Sequence, residues 1–227
     1  LVLAKSSGYL TGVAETGLVT FAAKHNLLIH LLYRPGEFVF AGTPLARVVG
    51  HEQDSAHVHK RIRRAFVTGT YRSLEQDVEF PIQQLVDMAL RALSPSLNDP
   101  YTAVNCIDRL GAAICHLNSR EPARSRHYDE QGNLRLIHRA SSYEGVLEVA
   151  FSPIRRSAMR SVTATVRLLE ALRAIAVTSG NEQQRQAIRA HVEMVYHLCR
   201  EASEEQRDRD LIESRYQAAI RALNEAV

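Results

Sequence analysis

Tryptophan is absent from this chain of 227 residues, and aromatic residues make up only 6% of it. A platform of aromatic side chains on which single-stranded nucleic acid could stack is therefore not expected. An excess of one charge is also lacking, since 28 lysines and arginines face 25 aspartates and glutamates, which leaves a net charge of +3. Such a small excess does not indicate a polyanionic partner. The composition predicts no nucleic-acid binding.

Cysteine is scarce as well. Cys106, Cys115 and Cys199 are odd in number and widely spaced, and no CxxC pair occurs. A disulfide framework is therefore not expected. The pattern is typical of free, buried thiols in a reducing compartment.

Long hydrophobic runs are missing too. The longest, residues 27–33, has the length of a strand, whereas a helix that crosses a bilayer needs about 18 apolar residues. The chain opens with Leu1 rather than methionine, so we expect the gene product to extend upstream of it.

Motifs of common enzyme classes do not occur: the sequence has no P-loop, no glycine-rich dinucleotide loop, no HExxH and no ordered Ser/His/Asp set. His57 and His59 alternate, and His51 lies nearby. A transition-metal site would need a third ligand and outer-shell partners, and the ten histidines are scattered. We therefore expect the chain to bind no metal and no cofactor, and the sequence identifies no catalytic residue.

The first 72 residues hold most of the glycines and several short apolar runs. Their punctuation by Gly and Pro predicts a small β-rich domain that resembles a barrel or sandwich, with one short helix inserted. Expected strands are residues 8–13, 27–33, 37–40, 45–49 and 65–71. The inserted helix is expected at residues 15–26, and a further short polar helix is expected at residues 54–64.

Residues 35–48 look like the entry strands of a biotinyl or lipoyl carrier domain. The lysine that carriers modify has no counterpart here. We therefore expect no prosthetic group, and the likeness concerns shape alone.

Residues 73–227 are predicted to form a mainly helical bundle with a polar excursion near 119–141, so that the fold class is α+β. Apolar residues recur there at helical spacing, and Pro or capping side chains stand at several expected helix starts. Expected helices are residues 81–93, one from 100, a long one over 153–176 that follows the segment 143–151, and then 181–203 and 206–225. One short strand is expected within 128–137.

The chain reversal between the first two of these helices is the main candidate site. It gathers polar residues around a helix N-terminus, whose free N–H groups attract anions. The alternative is structural: Asp99 caps, Asn98 turns, and Asp87 pairs with Arg91 in solvent. The candidate binding or interface residues are Asp87, Arg91, Asn98, Asp99, Thr102, Asn105 and Asp108.

A rival interpretation is catalytic. The loop acids Glu75, Asp77 and Glu79, with Gln76 beside them, precede the reversal, and carboxylates can act as acid and base when burial separates their pKa values. A carboxylate-based or metal-dependent hydrolase would use Asp77, Asp87, Asp99 and Asp108. Geometry decides between the two, because an enzyme needs these groups to converge in a pocket, whereas an assembly module uses them as caps or contacts.

Five arginines make the expected long helix basic: Arg155, Arg156, Arg160, Arg167 and Arg173. Basic faces bind anionic lipid headgroups. The same face could instead be a solvated face of the bundle that lies opposite the acidic run Glu201, Glu204 and Glu205.

Residues 72–80 and 84–103, above all the string ALSPSLNDPYTA at 92–103, resemble the hallmark of the family named domain of unknown function 2254. Segments 7–10, 35–36, 42–45 and 132–135 agree in order. The resemblance implies a bacterial inner-membrane protein whose membrane-spanning helices precede a soluble region on the cytoplasmic face. It supplies no chemistry.

From this resemblance we expect at least two upstream hydrophobic stretches of about 20 residues each. We expect the chain to be a non-catalytic module that assembles or regulates its own transmembrane region, a channel or a transporter. Self-association is expected as well.

Overall fold

The computed structural model describes residues 1–50, 55–121 and 123–225. His51, weighed above as a metal ligand, and Asp54, the expected start of a helix, lie outside these residues. By its contacts the chain forms two compact units, residues 1–80 with 122–141 and residues 81–121 with 142–227. The sequence places the boundary after residue 72 and treats 119–141 as an excursion of the second domain, whereas these contacts join 122–141 to unit 1.

Unit 1 is built on two sheets in the part of it that is described. Its strands are β1 (Val2–Leu3), β2 (Gly8–Val13), β3 (Leu28–Leu31), β4 (Phe38–Val39), β5 (Pro44–Val49), β6 (Phe66–Gly69), β7 (Arg126–Tyr128) and β8 (Leu134–Ile137). One sheet has the order β1-β5-β3-β8-β7 and the other β4-β2-β6. β3 and β8 run parallel, and the other pairs are antiparallel.

Two helices complete unit 1, α1 (Glu15–Lys24) and α2 (Ser55–Arg63). Leu18 and Ala22 recur at helical spacing on α1 and are buried, as the pattern predicts. Ile29 of β3 and Leu136 of β8 are buried on the larger sheet. These side chains belong to one apolar cluster. Neither sheet closes into a barrel within the described residues, and the expected α+β class is confirmed.

Unit 2 is helical in its described part. Its helices are α3 (Glu79–Ala92), which begins two residues before the contact boundary, α4 (Pro100–Asn118), α5 (Tyr143–Ala158), α6 (Val162–Val177), α7 (Glu182–Ala202) and α8 (Gln206–Glu225). In four of these helices the side chain of the N-cap residue itself accepts from a backbone N–H in the first turn: Asp99, Ser142, Ser161 and Asn181. Such caps stabilise a helix by about 1 kcal/mol each.

The expected long helix over 153–176 is wrong. α5 already begins at Tyr143, so Pro153 lies inside a helix rather than at its start. α5 ends at Ala158, and Ser161 adopts an extended conformation before α6 begins. The Ser161 hydroxyl accepts from the backbone amide of Ala164 at 3.3 Å. The five arginines are therefore divided between α5, the break and α6.

The single strand expected within 128–137 is also wrong in number. β7 and β8 form an antiparallel hairpin in which His127 stands opposite Leu136. Asp129 closes the turn by accepting from the backbone amides of Gln131 at 3.0 Å and Asn133 at 2.8 Å. A short polar strand outside the apolar core offers little periodicity, which is why β7 escapes sequence analysis.

Candidate functional site

The reversal between α3 and α4 is a capped turn. Asp99 accepts from the backbone amide of Thr102 at 3.1 Å and from its hydroxyl at 2.5 Å. The hydroxyl bond is the main reason that the pKa of Asp99 lies below its usual range. Asn98 has a φ of 46°, a left-handed conformation that asparagine tolerates. Its backbone N–H donates to the carbonyl oxygen of Ser94 at 2.9 Å.

The remaining candidates of this motif are dispersed. Asp108 lies nine residues after Asp99 on α4, about 13 Å further along the helix axis. It bonds to Arg167, whose guanidinium also contacts Glu170 at 3.0 Å. Asn105 is exposed, and Asp87 and Arg91, two described and exposed residues, do not form the expected ion pair. The reversal thus brings together Asn98, Asp99 and Thr102, but not Asp108.

The loop acids are engaged in structural bonds within unit 1. Asp77 is buried, accepts from the amides of Glu79 at 3.2 Å and Phe80 at 3.1 Å, and pairs with Arg72 at 2.6 Å. It therefore caps α3. Gly36 lies so close that a Cβ there would stand 2.2 Å from an Asp77 carboxylate oxygen, and its φ of 93° also requires glycine.

Glu79 is the second buried acid of this loop. The Arg34 guanidinium donates two hydrogen bonds to its carboxylate, of 2.7 and 2.9 Å, and the hydroxyl of Ser141 donates a third of 3.1 Å. Gln76 bonds to the backbone of Val13, and Glu75 is exposed. These acids serve the fold, because each buried carboxylate is satisfied by fixed donors.

A cavity of about 680 Å³ in unit 1 gathers the groups that the sequence did not connect. Glu15, from the first turn of α1, meets His127 of β7 and His138, which follows β8. The two Nε2 atoms are 3.0 Å apart, and each is 3.6 Å from an oxygen of the Glu15 carboxylate. These three ligand atoms could hold a metal ion.

The hairpin explains why the histidines meet. Residues opposite each other on paired strands share a face, so His127 shares one with Leu136, and His138 lies two residues further along on the same face. α1 lies against β8, which brings Glu15 to the two rings. The rings stack, with centroids 5.1 Å apart and planes inclined by 27°.

A metal site was not expected from the sequence, and these residues were missed. The spacing of 11 residues between His127 and His138 would have identified them had residues 126–137 been interpreted as a hairpin. No local pattern connects either with Glu15, more than 110 residues earlier. His57 and His59 lie two apart on α2, about 200° around the helix from each other, so they face away from one another.

The α+β fold with two units and a polar histidine cavity is accompanied by a clear family relationship. None of the helices in the described residues is both long and apolar enough to cross a bilayer. The chain nevertheless belongs to the family domain of unknown function 2254, described as a predicted membrane protein, whose model matches residues 1–174.

Curated relatives extend the match across the chain. An uncharacterized protein of Mycobacterium tuberculosis (strain CDC 1551 / Oshkosh) and one of Mycobacterium bovis (strain ATCC BAA-935 / AF2122/97) are each 31% identical over 215 residues. The aligned region covers 93% of this chain and 41% of each relative. The chain thus spans less than half the length of these relatives. No solved structure matches.

Proposed function

We propose that this chain is the water-exposed region of a bacterial inner-membrane protein, on its cytoplasmic face. It acts without catalysis of its own and assembles or regulates the membrane part, a channel or a transporter. The α3–α4 reversal is its contact surface. Membership in a family of predicted membrane proteins and the greater length of the relatives support this proposal.

The observation that carries the proposal is the use of the candidate carboxylates. Asp77 and Asp99 each cap a helix, and Asp108 bonds to Arg167. A hydrolase would need at least two such groups within reach of one substrate. Asp99 and Asp108 stand about 13 Å apart along one helix, which disfavours the rival interpretation.

The reversal also presents apolar side chains to solvent. Met88, Leu97 and Tyr101 are 51%, 64% and 75% exposed. Apolar and aromatic side chains beside a polar rim are typical of protein contact surfaces. We assign this surface to the membrane part of the same protein, since the relatives contain more than twice the matched length.

Self-association and contact with anionic lipid belong to the same proposal. Arg156, Arg160 and Arg173 are exposed, and such side chains gain about 1 kcal/mol each near an anionic leaflet. Arg167 is less suited to this role because Asp108 and Glu170 hold it.

Photo-crosslinking in the full-length protein tests the contact. A photoreactive phenylalanine analogue replaces Tyr101, and in the matched control it replaces Tyr71, which is equally open at 81% exposure. We expect the analogue at position 101 to crosslink to peptides outside residues 1–227, and the analogue at position 71 not to do so. An absence of such crosslinks from position 101 in membranes contradicts the proposal.

Side-chain deletion complements this test. Asn98→Gly removes the amide and keeps the left-handed backbone, whereas Asn98→Ala would strain it. With Asn105→Ala it should change assembly or membrane-linked activity while the melting temperature stays near that of the wild type. Unchanged assembly and activity in both variants would identify the motif as scaffolding.

A further inference from the structure

We propose that Glu15, His127 and His138 bind a divalent first-row transition metal, with zinc as the best fit. Two imidazole nitrogens and one carboxylate oxygen form a known donor set for zinc, with a fourth position open to water or a small anion. The site lies wholly in unit 1 and is independent of the α3–α4 reversal.

The distances between the ligand atoms fit one shared ion. Bonds of 2.0–2.2 Å to a tetrahedral zinc place neighbouring ligand atoms about 3.3 Å apart. Here the two Nε2 atoms are 3.0 Å apart, and each lies 3.6 Å from a different oxygen of Glu15. One ligand atom of each residue lies within 4.8 Å of the other two, so small side-chain rotations bring a single carboxylate oxygen and both nitrogens around one ion. Imidazole ligands suit zinc, whereas magnesium and calcium prefer sites built from oxygen.

The histidine pair already shares one hydrogen bond, since the two Nε2 atoms are 3.0 Å apart and one of them donates to the other. The Glu15 carboxylate stands outside that bond, because each of its oxygens lies 3.6 Å from one Nε2, beyond the range of a hydrogen bond. A shared ion would take the place of the proton between the two rings and would give the carboxylate a partner as well.

The outer contacts prepare His138 for ligation. Its Nδ1 lies 3.3 Å from the carbonyl oxygen of Arg139. A carbonyl only accepts, so the tautomer protonated at Nδ1 donates here and leaves the lone pair of Nε2 for the cluster. Metal-binding histidines in general donate their second N–H in this way, which fixes the tautomer.

The backbone holds the ligands firmly. The amide of His138 donates to the carbonyl of Ser125 at 2.9 Å, which extends the hairpin ladder beyond β8. The same cavity is lined by Arg34 and Ser141, which both bond to the Glu79 carboxylate, so the cavity beside the three ligands is polar. Side-chain exposures of 26% for His127, 13% for His138 and 32% for Glu15 leave a path for the ion.

Isothermal titration of the purified chain with zinc, after treatment with a chelator, tests the proposal. We expect one ion per chain. His127→Ala, His138→Gln and Glu15→Gln should each weaken binding, the histidine changes by about 100-fold or more. The matched control His57→Ala removes a histidine from α2 and should leave the affinity within about threefold.

A second readout separates lost ligation from lost folding. Cobalt added in place of zinc should give the intense visible absorption of a tetrahedral site in the wild type and in His57→Ala. Glu15→Gln, a change at an accessible helix start, should keep the circular dichroism spectrum and lose that absorption. Failure of the wild type to bind one zinc ion, or wild-type affinity in a double variant that combines His127→Ala with His138→Gln, overturns the proposal. Neither result bears on the crosslinks from position 101.

Discussion

Asp129 shows how much one side chain can organise. Its carboxylate accepts from two amides of the β7–β8 turn and from the Arg135 guanidinium at 2.7 Å. That guanidinium also donates to the side chain of Asn26 at 2.9 Å, just before β3. The hydrogen bond from Arg135 is the main reason that the pKa of Asp129 falls to about 2. The turn that positions His127 and His138 therefore depends on an ionised aspartate.

The depressed pKa makes part of the stability sensitive to acid. An unfolded aspartate has a pKa of about 3.9, so the stabilisation is present above that value and is lost as the pH falls towards 2. We expect Asp129→Asn to lower the urea midpoint at pH 6 and to differ much less from the wild type at pH 2.5. Urea unfolding curves at both values measure this.

The neighbouring acid provides the control for that experiment. Glu130 is exposed in the same turn, and Glu130→Gln should leave the midpoint almost unchanged at both pH values. A gap between Asp129→Asn and the wild type that persists at pH 2.5 would show that the carboxylate acts through shape rather than charge.

Among the elements, the contact of α4 with α6 depends on a small residue. Gly111 is buried, and a Cβ there would lie 3.3 Å from the Cβ of Ala171. The two helices approach closely at this point because neither presents a large side chain. A glycine inside a helix costs about 0.5–1 kcal/mol relative to alanine, which the close packing of the helices offsets.

Enlarging that contact should be costly. We expect Gly111→Leu to lower the free energy of unfolding by about 1–3 kcal/mol, since the added atoms must displace α6. Ala112→Leu adds a larger side chain at the next, exposed position and should change it by no more than about 0.5 kcal/mol. Denaturant unfolding of both variants gives the comparison, and equal effects would contradict the close approach.

The helices were predicted from their ends better than from their interiors. Asp99-Pro100 and Asn181 mark true helix starts because a cap acts within one turn, where the sequence contains all that is needed. Pro153 does not mark a helix start, because proline also occurs inside a helix. The strand pairing of β3 with β8 joins residues about 107 apart, and no local pattern encodes such a partner. The cluster of Glu15, His127 and His138 depends on that pairing and was missed for the same reason.

For the whole molecule, the order of the chain and the order in space differ. Unit 1 consists of residues 1–80 and 122–141, and the first part of unit 2 is synthesised between them. β3 is a central strand of its sheet, with β5 on one side and β8 on the other. Without residues 122–141, the apolar β3 would become an exposed edge, and such edges pair with other chains.

Fragments of the chain test this dependence. We expect residues 1–80 alone to aggregate or to self-associate through β3, as measured by light scattering. The matched fragment joins residues 1–80 to 122–141 through a flexible Gly/Ser linker and should be monomeric with a cooperative thermal transition. A monomeric, cooperatively folding 1–80 fragment would contradict the role of β8 in completing the sheet.

Because unit 1 is formed by two separate stretches of the chain, its larger sheet can be completed only late in synthesis. About 107 residues separate Ile29 from its partner Leu136. At about 5–20 residues per second, a ribosome needs roughly 5–20 s to produce the missing strand. During that interval α3 and α4 emerge while the larger sheet is still incomplete. The speed at which the codons for residues 81–133 are translated therefore determines how long the nascent chain carries an open sheet edge. It also determines how long chaperones must shield that edge from other chains.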